Sequence, residues 1–209
     1  MRDIDCYLFD LDGTLVDSSP VHDRVYREVL GREHPERLAV FDYRAISGLT
    51  TLDAFRTLGL DDDQVRHCTA LKQERYRQAV EAGAVQAIAG AGIVLKMLKA
   101  RGASIAVVTS ASRASAVRTL ETTGLMAHVD ALVTADDVTQ TKPAPEPYLR
   151  ALAQMKAESA ATAVVEDAPA GIASARAAGL TVIGVHESSV CALSDIYFAD
   201  FAAFADALP

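Results

Sequence analysis

Four short stretches of the 209-residue chain carry side chains suited to chemistry: "LFDLDGT" (8–14), "VVTS" (107–110), "TKP" (141–143) and "VVEDAP" (164–169). Asp10, Asp12 and Asp167 are hard oxygen donors, and three of them at one spot repel one another unless a divalent cation lies between. Magnesium suits such a set, because it accepts a few protein carboxylates, keeps waters and bridges to a phosphate. One carboxylate can then attack phosphorus, once metal and ammonium neutralise its repulsion with the phosphoryl oxygens. Asp10 is the expected nucleophile, since buried neighbours anchor it at a strand end. Asp12 is the expected acid and base, protonating the leaving oxygen and later taking a proton from water. Thr109 supplies a hydroxyl donor and Lys142 a point charge on the transferring group. Gly13 permits a tight turn and lets backbone N–H groups face a phosphate. Glu166, beside Asp167, ligates the cation directly, ligates it through water, or fixes the loop.

These residues must be brought together by elements that the pattern of the chain announces. "IDCYLF" (4–9) is a short apolar run expected as a buried strand. After it the character changes to helix. "SSPVHDRVYREVLG" offers Ser19 as an N-cap and Pro20 at the first helical position, with Val21, Val25, Val29 and Leu30 on one face. "TTLDAFRTLG" and "DDDQVRHCTALKQERYRQAVEAG" repeat the pattern of acids at the start and glycine at the end. The acids of "LDDDQ" suit a helix N-terminus and its dipole better than a metal site. Residues 16–84 therefore read as a small helical cap, inserted into a core made of residues 1–15 and 85–209. No strand is expected within the insert.

From Val85 strand and helix alternate. "SIAVVTS", "VDALVTA", "ATAVVED", "LTVIGV" and "IYFAD" read as strands. "GIVLKMLKARG", "RASAVRTLETTG", "PEPYLRALAQM" (beginning on Pro145 and Pro147), "PAGIASARAAG" and "FAAFADAL" read as helices. Such alternation predicts an α/β fold with a parallel sheet between helices. Ligands of such sheets bind outside the carboxyl ends of the strands, which is where Asp10, Thr109, Ser110, Glu166 and Asp167 fall.

Composition narrows the partners. The net charge is −8, so a nucleic-acid backbone, which needs clustered Lys and Arg, is not expected as partner. An acidic surface also repels phosphorylated small molecules at long range, and a bound cation answers that objection locally. Cys6, Cys68 and Cys191 lack the spacing of a zinc site or disulfide framework and suit a reducing cytoplasm. "MRDIDC" places acids where a signal peptide needs an apolar run, and no run approaches the roughly 20 apolar residues that cross a bilayer. A cytoplasmic protein with no membrane partner is the expectation; oligomeric state is not readable.

With those residues in place, the chain resembles the haloacid dehalogenase-like (HAD) phosphohydrolases over essentially its whole length. "DLDGTLVD" is similar to the family's first motif, "VVTS" to its second through Thr109, Lys142 in "TKPAPEPY" to its third, and "VVEDAPAGI" to its fourth through Glu166 and Asp167. The order of all four is also right. The resemblance implies a Rossmann-like core with a helical cap after the first strand. It implies magnesium held by Asp10, Asp167 and the main-chain oxygen of Asp12, and a small phosphorylated metabolite as substrate. An acid at position 12 favours phosphoryl transfer over the family's other chemistries.

Within the family the chain resembles the branch of β-phosphoglucomutase, sugar-phosphate phosphatases and phosphoglycolate phosphatase. His22, ten residues after Asp12, matches a histidine of the mutase's first cap linker, and "ISGLTTLDAF" is similar to its substrate loop. Thr51 stands where the mutase has an arginine for a second phosphate, which favours simple hydrolysis. Gly13, Ser110, Arg113, His22 and Thr51 are thus the candidate substrate contacts, with Arg44 and Thr50 behind them. Arg113 either reaches the substrate or caps its own helix. The enzyme expectation is an Mg2+-dependent phosphatase working through an aspartyl phosphate on Asp10. Its rivals are a mutase and a receiver-like phosphoacceptor module, though receivers place the acceptor on a later strand and lack a long helical insert.

Overall fold

A computed structural model describes residues 4–208; Met1–Asp3, which open the acidic N-terminal stretch, and Pro209 lie outside the described residues. In chain order the first half contains β1 (Cys6–Phe9), β2 (Val16–Asp17), α1 (Ser19–Glu33), α2 (Pro35–Leu38), α3 (Tyr43–Ile46), α4 (Thr51–Thr57), α5 (Asp62–Glu81) and β3 (Gln86–Ala87). The second half contains α6 (Ala91–Ala100), β4 (Ser104–Val108), α7 (Arg113–Thr122), β5 (Ala131–Val133), α8 (Glu146–Met155) and β6 (Thr162–Glu166). It closes with α9 (Pro169–Ala177), β7 (Thr181–Val185), β8 (Ile196–Phe198) and α10 (Phe201–Ala207).

Six strands form one sheet in the order β5-β4-β1-β6-β7-β8, and every pairing in it is parallel. β1 lies between β4 and β6 and is buried at all its positions. Its side chains alternate faces as a strand requires. Tyr7 and Phe9 pack with α6 and α10 through Leu95, Phe201 and Phe204, whereas Cys6 and Leu8 pack with Tyr148, Ala151 and Ile172 of α8 and α9. Covering both faces explains why the strands read as unbroken apolar runs. The chain leaves β1 to build β4 on one side and returns to build β6 on the other. The rim at the carboxyl end of β1 is therefore a topological switch point.

The helices between residues 19 and 81 have a core of their own, in which Tyr26, Val29, Leu30, Phe41, Phe55, Val65 and Cys68 pack together. The run "LDDDQ" caps α5: Asp61 accepts from the Gln64 N–H, and the Gln64 side chain accepts from the Asp61 N–H. Thr50 caps α4 by accepting from the Asp53 N–H, without the reciprocal backbone bond.

Several details depart from the sequence expectation. α1 starts one residue earlier than expected, so that Ser18 holds the N-cap place in sequence, but its hydroxyl makes no cap and donates instead to Asp12 Oδ1 at 2.6 Å. α1 also runs past Gly31 to Glu33, and the short α2 and α3 were not anticipated. The span expected to be free of strand holds β2, which pairs antiparallel with β3. The two connections between the helical unit and the sheet thus form a small ribbon. Two-residue strands carry too little periodicity to be recognised in sequence. Among the described residues no helix is long and apolar enough to cross a membrane.

Phe55 is fully buried in the separate core of the helical unit. Phe55→Ala is expected to destabilise that unit by about 3–5 kcal/mol, as typical buried Phe truncations do. Hydrogen exchange should accelerate for amides in 19–81 and stay unchanged in β1, β4 and β6; uniform acceleration would show that the two cores do not unfold separately.

Candidate active site

The register of the sheet decides which residues meet. Phe9 is level with Val107 on β4 and Val165 on β6, so Asp10 emerges beside Val108 and Glu166, and its N–H donates to the Val165 carbonyl at 3.0 Å. Thr109 leaves β4 at the same rim, with its N–H on the Val133 carbonyl. Lys142 arrives from the segment before α8 and is 5% exposed. Its Nζ donates to Asp10 Oδ1 and Glu166 Oε1, both at 2.6 Å, and to the Val108 carbonyl at 2.9 Å. Tyr148 of α8 adds an O–H bond to Glu166 Oε1 at 2.8 Å. Glu166 has room for these bonds because Gly171 lies against its carboxylate, where a Cβ would collide.

Asp167 is positioned from the other side. Thr14 Oγ1 donates to Asp167 Oδ1 at 2.7 Å, and the other carboxylate oxygen lies over Gly13, whose φ of +90° excludes most side chains. Asp10, Glu166 and Asp167 each offer a carboxylate oxygen within 4.8 Å of one another. This donor set fits a divalent cation. Three anions face one ammonium, which leaves the buried site short of positive charge.

The electrostatics follow from that imbalance. Burial, together with the carboxylates of Glu166, Asp167 and Asp12, holds the Asp10 carboxyl well above the usual range despite Lys142. Burial and the Glu166 charge push Asp167 up to about 7. Burial alone would lower the Lys142 ammonium, but Asp10 and Glu166 outweigh it and raise it well above the ordinary lysine value.

Asp12 has a different set of neighbours. Its Oδ1 accepts from Ser18 Oγ at 2.6 Å and lies 3.2 Å from His22 Nε2, while Thr109 Oγ1 lies 3.5 Å from Oδ2. His22 Nδ1 lies 2.8 Å from Lys72 Nζ. A charged ammonium only donates, so Nδ1 is the acceptor and Nε2 carries the proton given to Asp12. The imidazole stacks on Tyr76 with ring centroids 4.2 Å apart, and Lys72 Nζ sits 5.0 Å and 4.9 Å from the Tyr26 and Tyr76 ring centroids. Burial would raise the Asp12 carboxyl, but the bonds from His22 and Ser18 and the Lys72 charge bring it down to about 2. Burial lowers Lys72 to about 8, and burial and Lys72 lower His22.

A cavity of about 70 Å³ lies between this rim and the helical unit. Asp10, Asp12, His22, Thr51, Thr109, Ser110, Lys142 and Glu166 line it, and Ser110 Oγ ties the rim to the unit through the Gly48 carbonyl at 3.1 Å. Gly13 and Asp167 are not among the lining residues: Asp167 belongs to the acidic cluster, and its carboxylate lies against Gly13. Arg113, for which the sequence leaves two roles open, is not among the residues that line the cavity. Its guanidinium is held by Asp137 Oδ2 at 2.6 Å and the Leu132 carbonyl at 3.3 Å, away from the cavity lining. Arg44 is exposed outside the cavity, and Thr50 is engaged as the cap of α4.

Not singled out from the sequence are Ser18, which donates to Asp12, and Tyr26, Tyr43, Lys72 and Tyr76, which line the cavity. Lys72 had a signal: it falls on the stripe Val65, Cys68, Thr69, Tyr76, Ala79 that α5 buries, a place where a lysine is rare.

Comparison with known proteins places the chain in a family. The family model for haloacid dehalogenase-like hydrolases matches residues 7–185. Validoxylamine A 7'-phosphate phosphatase of Streptomyces hygroscopicus subsp. limoneus is 31% identical, with 92% of each chain covered. Hexitol phosphatase A of Escherichia coli is 36% identical over 86% of this chain and 82% of that one. The crystal structure of β-phosphoglucomutase from Clostridium difficile superposes with a TM-score of 0.83 at 16% identity, covering 95% of this chain and 92% of that one, and so shares the fold. The chain belongs to the haloacid dehalogenase-like hydrolase family.

An Asp167 carboxyl at about 7 has a measurable consequence, since a metal requires the carboxylate form. A raised acid holds its proton below that value, so a cation taking Asp167 as ligand would have to displace it there and not above. Calorimetry in buffers of different ionisation enthalpy should show proton release near pH 7, with affinity falling up to about tenfold per pH unit below it. Affinity independent of pH between 5 and 8 would contradict the raised carboxyl.

Proposed function

We propose that this chain is a phosphatase of small phosphomonoesters, with Mg2+ as cofactor and Asp10 as the residue transiently phosphorylated. One observation carries the proposal: a buried carboxylate at the rim of the central strand, 2.6 Å from a buried ammonium and within a cluster of carboxylates that fits a divalent cation. That it is a phosphoric monoester hydrolase rests on the family and on relatives named as phosphatases.

Asp10, Asp167 and the main-chain oxygen of Asp12 would hold the Mg2+, which when bound neutralises phosphoryl charge. Glu166 is engaged by Lys142 and Tyr148, which favours its fixing the lysine and the loop over direct ligation. A carboxylate oxygen of Asp10 attacks phosphorus as the bond to the leaving oxygen breaks, and Lys142 and Thr109 take up charge on the transferring group. The leaving oxygen takes its proton from Asp12. In the absence of substrate Asp12 is ionised, and a phosphoryl dianion brought against it raises its pKa towards the form that can donate. In the second half-reaction Asp12, again a carboxylate, takes a proton from water. That water attacks the phosphorus of the aspartyl phosphate and frees Asp10 and inorganic phosphate.

Residues 16–84 act in this reading as a cap that excludes water and meets the leaving group. Cationic side chains in the cavity lining are Lys72 and Lys142, and Lys72 is already engaged with His22. With Thr51 in place of an arginine, a second phosphate meets no unengaged lysine or arginine among the described lining residues, which favours hydrolysis over a mutase. The names of hexitol phosphatase A and fructose-1-phosphate phosphatase YqaB, both of Escherichia coli, support a sugar phosphate or a similar metabolite. A cytoplasmic setting goes with the proposal, supported by three unpaired cysteines.

Purified protein with Mg2+ should release inorganic phosphate from members of a panel of sugar phosphates, phosphoglycolate and nucleotides. No release from any of them would overturn the proposal; isomerised sugar phosphate without free phosphate would make it a mutase. A long-lived phosphoprotein after acetyl phosphate treatment would revive the receiver alternative. Asp10→Asn should abolish turnover, and residual activity well above background would refute it as nucleophile. Asp12→Asn should lower turnover by about 10²–10⁴-fold, since both half-reactions lose their proton carrier, and a normal steady-state rate would count against that role.

A further inference from the structure

We propose that His186 is a positioning residue for the cation site, holding Asp167 at the rim through Thr14. The inference rests on the proposed role of Asp167 as a metal ligand.

His186 directly follows β7, on the same rim as Asp10 and Asp167, and has a φ of +63°. That left-handed conformation suits glycine, and a histidine kept there points to a use for its ring. The ring reaches across the sheet to the turn after β1. Its Nε2 lies 3.1 Å from the Thr14 carbonyl, and because a carbonyl only accepts, Nε2 carries the hydrogen and donates. Thr14, fully buried, passes the constraint on: its Oγ1 donates to Asp167 Oδ1 at 2.7 Å. The remaining Asp167 oxygen rests on Gly13, the residue before.

The Asp167 carboxylate is therefore located by residues 13 and 14, on one oxygen by a hydrogen bond and on the other by shape. The turn that contains them is closed on itself, with Gly13 N–H on the Val16 carbonyl and Leu15 N–H on the Leu11 carbonyl. Its ties outward include the Ile88 N–H on the Leu15 carbonyl and the His186 ring. The ring is itself fixed. Phe201 meets it edge-on with centroids 4.8 Å apart, and the Tyr197 hydroxyl donates to the His186 carbonyl at 3.2 Å. A chain of His186, Thr14 and Asp167 thus orients a carboxylate of the cation site from outside it, as partners of metal ligands commonly do.

The test measures Mg2+ binding directly by calorimetry on parent, His186→Gly and Asp167→Asn proteins. His186→Gly removes the ring and relieves the left-handed backbone. Its Mg2+ dissociation constant should rise about tenfold. Its Mg2+ activation constant should rise with it while substrate KM at saturating Mg2+ stays put, a split that a general loss of structure would not produce. If His186→Gly does not fold, His186→Asn, which also tolerates the left-handed conformation, is measured in its place. A dissociation constant within about twofold of the parent in a folded variant overturns the proposal. If Asp167→Asn has lost Mg2+ in that case, His186 alone is refuted; if Asp167→Asn also binds like the parent, the ligand role of Asp167 has failed as well.

Discussion

The rim of this sheet is built around a buried shortage of positive charge. Asp10, Glu166 and Asp167 crowd within reach of one another, and the ammonium in contact with them is Lys142. Removing charges from water costs several kcal/mol per ion, and one lysine repays that for only part of the cluster. A fold selected for stability alone would replace such a group with apolar side chains. Here the sheet enforces it instead. Adjacent parallel strands in register leave their last residues level, so the acids after β1 and β6 share one spot whatever their mutual repulsion. A cation and an anionic group with its own metal affinity, entering together, would relieve the tension, and such a cluster would then be electrostatically preorganised for the proposed phosphoryl transfer.

Much of the core was readable because this constraint is topological. A parallel strand ends where its apolar run ends, and the polar residue that follows must stand on the rim. Asp10, Thr109, Glu166 and Asp167 could be placed without knowing any contact between them, and six parallel strands followed from the alternation of elements. The helical unit was less readable because no such rule governs its loops. Arg113 shows the limit from one side: its position after β4 is right, but Asp137 lies nearby to hold its guanidinium, and that pairing across 24 residues has no sequence signature. Lys72 shows it from the other. A lysine in "LKQERYRQ" looks like part of a solvated face until the helix is phased against Val65, Cys68 and Tyr76, which places it inside. Ser19 reads as the N-cap of α1, and nothing in the sequence marks the neighbouring Ser18, whose hydroxyl serves Asp12.

Asp10 and Asp12 are two residues apart and have been driven in opposite directions. Asp10 lies among other carboxylates and is raised, first by burial. Asp12 is also buried, but Ser18, His22 and Lys72 donate charge and hydrogen bonds to its surroundings and bring it to about 2. The difference comes from backbone geometry. Past Phe9 the chain leaves the strand and closes a turn, with the Gly13 N–H on the Val16 carbonyl, so Asp10 meets Lys142 and the β6 carboxylates whereas Asp12 meets Ser18 and His22. Two like groups given unlike environments can divide nucleophilic and proton-handling work, whereas two in the same environment would share a proton and compete for it. The partners of Asp10 come from the sheet domain, through Lys142 and the β6 carboxylates. Those that set Asp12 come from residues 18, 22 and 72, in and beside the helical unit. Proton affinity at the second acid therefore depends on side chains in and beside the helical unit, while the hydrogen-bonded partner of the first acid is a lysine of the sheet side.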